Sequence, residues 1–401
     1  METVVLAYSG GLDTSIMIPW LKEHYNVEVV ALCIDLGQGK ELTGLREKAL
    51  NSGAKAVIID DLRESFVVDY WYPTLRAGAL YESKYLLGTS IGRPLIAKRM
   101  VEVAHEYGAT MVAHGATGKG NDQVRFELTF MALDPSLKII APWKDPKWTL
   151  TSREACVEYA QHHGIPIAQS SDRIYSEDAN LLHISHEGGV LESLTEPVPD
   201  DVYSMSQVLA NTPDTPDTLT VSFESGIPVR VNGTAMAPVP MLEHLNALGA
   251  KHGIGQIDLV ENRLVGMKSR GIYETPGGTI VFAAHTELEH LVLDRSVLHL
   301  KEKLALDYAD LVYDGRWFST ARTALDAFVN DTQKMVTGDI TVSLFKGHIR
   351  PVKRVSPFSL YHESLSSFSD SELYNQADAV GFIKIYGLPS KINGMRDRGE
   401  L

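Results

Sequence analysis

The sequence predicts an α/β protein: a parallel, doubly wound sheet over residues 1–167, a mixed α+β region over 168–355 and a C-terminal arm over 356–401. Three observations carry this prediction. Up to Ile165-Pro166-Ile167, short apolar runs alternate with helically spaced ones, and repeated βα units of that length imply parallel strands with helices on both faces. A stretch rich in proline, aspartate and serine, Thr195 to Asp217, then opens a region of hairpin and helix patterns. From Ser356 the chain is apolar but too short to fold alone, so it is expected to pack on a neighbouring subunit.

Taken in order, Val4-Val5-Leu6 is the first strand, and a helix follows as far as His24 and Tyr25. Val27 to Ile34 is the second, broken after Asp35 by Gly37-Gln38-Gly39, and Leu42, Leu45 and Ala49 then recur at helical spacing. Ala54 to Ile59 gives a third strand. A helical region from Leu62 towards Leu80 is expected to break at Pro73, and a helix from Pro94 to Tyr107 to carry proline in its first turn. Met111 to Ala113 and Lys138 to Ala141 are short strands around a helix over Asn121 to Met131. Thr151-Ser152-Arg153-Glu154 is a capping box for a helix ending near His163. Later, Thr218 to Glu224 and Pro228 to Val231 form a hairpin, and Met241, Leu242, Leu245 and Leu248 mark a helix. Thr279 to Tyr313 is helical with a break at Leu293-Asp294. Another helix spans Thr320 to Met335, and Ile340 to Val355 is a pair of strands across Lys346-Gly347-His348.

Composition excludes several classes. With 401 residues and 44% hydrophobic content the chain can bury a large core in two domains or more. Lys and Arg number 37 against 51 Asp and Glu, a net charge of −14, which argues against a surface that coats nucleic acid. Cys33 and Cys156 are far apart and make neither a zinc pattern nor a disulfide framework; buried thiols in a reducing cytoplasm are expected. The first strand starts almost at Met1, so no leader is expected, and no apolar run is long enough for a membrane span.

Chemistry concentrates in two glycine turns. Ala7-Tyr8-Ser9-Gly10-Gly11-Leu12-Asp13-Thr14-Ser15 runs from a buried strand into a helix start, where glycine lets an anion approach successive amides. No lysine occurs between Met1 and Pro19, so this is no Walker loop, and G-x-G-x-x-G is absent. The bland alternative is that Asp13 serves only as a helix cap; the strand before the turn and the helix after it favour the phosphate reading. His114-Gly115-Ala116-Thr117-Gly118-Lys119-Gly120-Asn121-Asp122 leads into a second helix, with Arg125 one turn on as a fork for a carboxylate. The glycine loop, Ile34-Asp35 and His114-Gly115 all follow predicted strands and are expected to line one cleft.

S-G-G-L-D-T-S resembles the pyrophosphate loop of the N-type ATP pyrophosphatases. Together with Tyr85–Ser90, His114–Arg125, Tyr175–Ser185, Val260-Glu261-Asn262-Arg263 and Gly266–Pro276, it makes nearly the whole chain similar to the argininosuccinate synthase family. The resemblance implies an adenine nucleotide hydrolase-like first domain, a synthetase domain and an oligomerisation arm forming a homotetramer. It also implies ligation of citrulline to aspartate through citrullyl-AMP, with ATP and Mg²⁺, releasing AMP and pyrophosphate.

On these positions it places ATP at Ala7 to Ser15, Ile34 and Gly115. Citrulline falls to Tyr85, Ser90, Asn121, Arg125, Ser176, Ser185, Glu261 and Tyr273, and aspartate to Thr117, Asn121 and Asp122. Asp13, Asp122 and Arg125 are expected nearest the chemistry, no residues are assigned as metal ligands, and no nucleophile or general base is evident. Asp13 stays open between Mg²⁺ ligand and proton acceptor. An RNA-modifying enzyme with the same loop is expected to bring a basic surface and catalytic cysteines, which this sequence lacks.

Overall fold

A computed structural model describes residues 1–166, 175–367 and 373–401. The expected boundary at 167/168 and the tail residue Phe368 lie outside them. The chain divides into two compact units, Met1–Phe358 and Ser359–Leu401.

The first unit opens with β1 (Glu2–Ala7), α1 (Leu12–Tyr25), β2 (Val27–Asp35), α2 (Leu45–Asn51) and β3 (Ala56–Asp61). A continuous helical run follows, α3 (Arg63–Ser65), a π-helical segment (Phe66–Trp71) and α4 (Tyr72–Ala77). Pro73 therefore does not break the helix: its missing amide falls at the start of α4, where the wider turn ends. Next come α5 (Gly88–Glu106), β4 (Met111–Ala113), α6 (Asp122–Leu133), β5 (Lys138–Ile140) and α7 (Arg153–His162). Helix α5 starts at Gly88, before the expected Pro94, which lies inside it.

Strands β1 to β5 form a parallel sheet in the order β3-β2-β1-β4-β5, so strand order reverses between β1 and β4. Alternate residues enter two cores: Val5, Val30, Leu32 and Ile34 on one face, Val4, Leu6, Val29 and Ala31 on the other. Ile16 and Trp20 of α1 and Cys156 of α7 fill the second core, Ile91 and Leu95 of α5 the first. Both faces are covered, as continuous apolar strands require.

The rest of this unit contains β6 (Ser176–Ala179), β7 (Ile184–Glu187), β8 (Asp217–Glu224), β9 (Ile227–Val231), β10 (Thr234–Ala235), α8 (Pro238–Lys251), β11 (Gln256–Asn262) and β12 (Lys268–Glu274). Helices α9 (Pro276–Val292), α10 (Arg295–Tyr313) and α11 (Thr320–Thr332) and strands β13 (Gly338–Phe345) and β14 (His348–Val355) complete it. One antiparallel sheet runs β10-β9-β8-β13-β14, and a second, unforeseen from the sequence, runs β11-β12-β7-β6. The helical break falls at Leu293-Asp294 as expected, with Asp294 capping α10 through the amides of Ser296 and Val297.

The second unit holds α12 (Glu363–Ser366), α13 (Asp378–Tyr386) and α14 (Leu388–Asp397). Phe382, Ile383, Ile385 and Tyr386 of α13 are exposed.

Candidate active site

A cleft of about 560 Å³ opens at the carboxyl ends of β1, β2 and β4, next to the reversal of strand order. Ala7, Tyr8, Ser9, Thr14, Ile34 and Gly115 line it together, so the three turns converge as the sequence reading expects.

At this end the backbone does the work. Gly10 is left-handed, φ 78°, a conformation a side chain would strain, whereas Gly11 is extended at φ −65° and forms the N-cap of α1. No side chain caps the helix, so Asp13 is not a cap, and its carboxylate takes no hydrogen bond among the described residues. The Ser15 hydroxyl donates to the Gly11 carbonyl at 2.8 Å and meets the Tyr8 hydroxyl at 3.1 Å, locking the loop from behind. The Ser9 and Thr14 hydroxyls meet at 3.1 Å, and Lys48 of α2 donates to the Gly10 carbonyl.

The other end is built from side chains. Arg93 bridges Asp122 at 2.8 Å and Asp178 at 2.6 Å, and Arg125 donates to Asp122 at 2.9 Å and to the Tyr313 carbonyl at 2.9 Å. Glu261 accepts from Tyr273 and Tyr313, each at 2.7 Å. Because Tyr313 spends its proton on Glu261, Asn121 Nδ2 donates to the Tyr313 oxygen, at 2.8 Å. Tyr81 stacks on Tyr313 with centroids 3.5 Å apart, and Tyr85 on Tyr273 at 4.5 Å.

Residues 3–166 match the arginosuccinate synthase N-terminal HUP domain and residues 175–393 the arginosuccinate synthase C-terminal domain. The chain is 55% identical to the argininosuccinate synthase of Caldanaerobacter subterraneus subsp. tengcongensis, covering 100% of this chain and 97% of that one. It is 57% identical to the argininosuccinate synthase of Desulforamulus reducens, over 99% of each chain. With the chloroplastic argininosuccinate synthase of Arabidopsis thaliana it shares 56%, over 98% of this chain and 80% of the relative. The chain belongs to the argininosuccinate synthase family.

Of the residues that resemblance to the family selects, Tyr85, Asn121, Asp122, Arg125, Ser176, Ser185, Glu261, Tyr273 and Thr117 line the cleft with the loop residues already named. Gly10, Gly11, Leu12, Asp13 and Ser15 do not line it, and neither does Ser90, whose buried hydroxyl has no hydrogen-bond partner among the described residues. Asn121 and Asp122 stand at the start of α6, as expected of an anion-receptive helix end. Their side chains, however, are committed: Asn121 to Tyr313 and the Leu264 amide, Asp122 to the two arginines.

Burial opposes the charge of Asp122, but Arg93 and Arg125 hold its carboxyl below the ordinary value. Burial, and then the Glu261 charge, push Tyr273 and Tyr313 well above the ordinary phenol, so both stay donors.

Sequence reasoning missed Arg93, Asp178, Tyr313, Arg263 and Lys48. Arg93 carries a signal, a lone arginine one turn after Thr89 in an otherwise apolar helix face. Arg263, which pairs with Glu187 at 2.6 Å, lies inside the Val260–Arg263 motif that carries the family resemblance. Lys48 and Tyr313 carry no local signal, being distant in sequence from what they touch.

Proposed function

We propose that this cleft ligates citrulline to aspartate with ATP, the argininosuccinate synthase reaction, through a citrullyl-AMP intermediate. An ATP-dependent ligase is what the family membership of the chain gives. The observation that supports the residue assignments is that one cleft is lined at one end by Ala7, Tyr8, Ser9 and Thr14 of the glycine loop and at the other by the Asp122, Arg125, Glu261 and Tyr273 group.

In this reading ATP lies along Ala7 to Ser15 with its nucleoside toward Ile34 and Gly115. Amides at the uncapped start of α1 receive the phosphates. One helix end is worth only about 0.3–1 kcal/mol toward a charge, so several amides and the Lys48 ammonium act together on the pyrophosphate as it leaves. Mg²⁺ fits this end, since it usually takes one or two carboxylates and substrate phosphates rather than a protein cage. The unbonded carboxylate of Asp13 would hold it, and the ion would supply charge neutralisation at the phosphates.

Arg125 keeps Nη2 without a hydrogen bond among the described residues, available to the citrulline α-carboxylate. Glu261 keeps a lone pair on each oxygen for the α-ammonium, and Tyr85, Ser176, Ser185, Asn121 and Tyr273 surround the remainder. Aspartate enters over Thr117, Asn121 and Asp122, whose carboxylate receives the amine. The ureido oxygen attacks the α-phosphorus, pyrophosphate leaves, and the amine of aspartate then displaces AMP from the activated carbon. Holding the reactants together supplies roughly 7–11 kcal/mol without a dedicated base.

We further assign residues 1–167 to the nucleotide domain, 168–355 to the synthetase domain and 356–401 to an oligomerisation arm of a cytoplasmic homotetramer. The exposed apolar residues of α13 support the arm, and no helix of the described residues is long and apolar enough to cross a membrane.

Citrulline labelled with ¹⁸O in its ureido group tests the chemistry. AMP carrying one label, formed only with citrulline present, is the expected product, and unlabelled AMP or ADP would reject the adenylate route.

A further inference from the structure

His183 is fully buried beside the cleft, and the mechanism above leaves it unused. It closes the turn between β6 and β7, where Asn180 accepts from the amides of Leu182 at 2.9 Å and His183 at 3.2 Å and donates to the Gly88 carbonyl at 3.1 Å. The turn is thereby docked on the first residues of α5. Gly88 lies against the imidazole so closely that a Cβ there would stand 2.5 Å from the ring.

The donors can be assigned from chemistry. Thr89 Oγ1 is 2.9 Å from Asp178 Oδ2 and 3.0 Å from His183 Nε2. A carboxylate paired with a guanidinium only accepts, so the one hydroxyl proton of Thr89 goes to Asp178. The Thr89 oxygen must then accept from His183, which puts the imidazole proton on Nε2. Nδ1 keeps a bare lone pair, and it is indeed buried without a partner among the described residues, where an N–H would be an orphaned donor. Burial pushes this imidazole down to about 4, so it stays neutral.

We propose that His183 is a positioning residue for the aspartate end of the cleft. Its Nε2–H fixes the Thr89 hydroxyl, the hydroxyl orients Asp178, and Asp178 with Asp122 brackets Arg93. The proposal rests on the reading that Asp122 receives aspartate. Each link removes the rotational freedom of the next, and the chain of contacts ends on the carboxylate that must meet an incoming amine.

Two substitutions separate this role from packing. The His183 ring lies 6.1 Å from that of Tyr273 and 5.9 Å from that of Tyr85, on the citrulline side. His183→Phe keeps a ring there and loses the donor, whereas His183→Gln keeps a donor and loses the ring. His183→Phe should raise the aspartate KM roughly tenfold while citrulline-dependent exchange of pyrophosphate into ATP stays within about twofold. His183→Gln should leave the aspartate KM near that of the unaltered enzyme. Thr89→Val should match His183→Phe, and the double variant should be no worse than either, because both break one relay.

An unchanged aspartate KM in an exchange-active His183→Phe enzyme would overturn the proposal. So would a nitrogen-15 spectrum with the His183 proton on Nδ1. Should His183→Phe not fold, Thr89→Val decides the matter in the same way. A separate result, Asp122→Asn with an unchanged aspartate KM, would reject the reading of the site itself.

Discussion

The two ends of the cleft are made in opposite ways. At the end proposed to bind ATP, nine consecutive residues and their backbone amides form the loop, and Lys48 reaches it from α2. At the end proposed to hold the amino acids, the side chains of Arg93, Asp122, Asp178, Glu261, Tyr273 and Tyr313 come from six helices and strands and hold one another by hydrogen bonds. A phosphate can be bound by peptide groups that any sequence possesses, provided glycine permits the turn. Two amino acids that differ in charge pattern need fixed side-chain donors and acceptors, and those require a folded frame. The ATP end should therefore tolerate loss of a single side chain, and the other end should not.

The sharpest break of this contrast comes from Asp122. Asp122→Asn keeps the shape but leaves one acceptor oxygen where Arg93 and Arg125 use one each, and it removes the charge proposed to meet the amine of aspartate. Loss of a hydrogen bond to a charged group costs about 1.5–3 kcal/mol, so product formation at limiting aspartate should fall roughly a hundredfold. Citrulline-dependent pyrophosphate exchange should persist. Equal loss of both activities would show that the carboxylate serves both substrates.

Arg125→Lys gives a smaller effect at the same end. The guanidinium spans the Tyr313 carbonyl and Asp122 while its third nitrogen stays available, and an ammonium cannot reach all three places. The citrulline KM should rise roughly tenfold and that for ATP should move little. An unchanged citrulline KM would remove Arg125 from that subsite.

The same contrast explains what the sequence disclosed. The parallel sheet and the helices over it were legible because their apolar spacing is local, and the glycine loop was legible because its chemistry lies in consecutive residues. Strand β11 was not. Along it Leu259 and Glu261 are buried while Asp258 and Val260 are exposed, so the acid faces inward and the valine outward. The inverted residue serves the cleft, and it spoils the alternation by which a strand is read. Helix α5 was misread at its start for a related reason. Proline signals a first turn, yet Leu87 at φ 64° forms the N-cap and the docked Asn180 holds the Gly88 carbonyl, so the helix begins earlier and Pro94 is accommodated inside it. Arg93, Asp178 and Tyr313 answer one another across long sequence separations, and only folding reveals such pairs.

Lys48 sharpens the comparison from the ATP side and should show the smallest effect. It is the lysine that the loop itself lacks, brought from α2 to the Gly10 carbonyl, and it forms no ion pair among the described residues. Partial burial pushes its ammonium below the ordinary lysine value, and a phosphate at the loop, as proposed above, would offset that cost. Because the amides share the load, Lys48→Met should slow pyrophosphate exchange only about three- to fivefold, the scale of one partly exposed charge. The KM for citrulline and aspartate should not change, and Lys48→Arg should restore most of the rate. A loss as large as that expected for Asp122→Asn would mean that the ATP end also depends on one side chain, and the distinction between a backbone end and a side-chain end would fail.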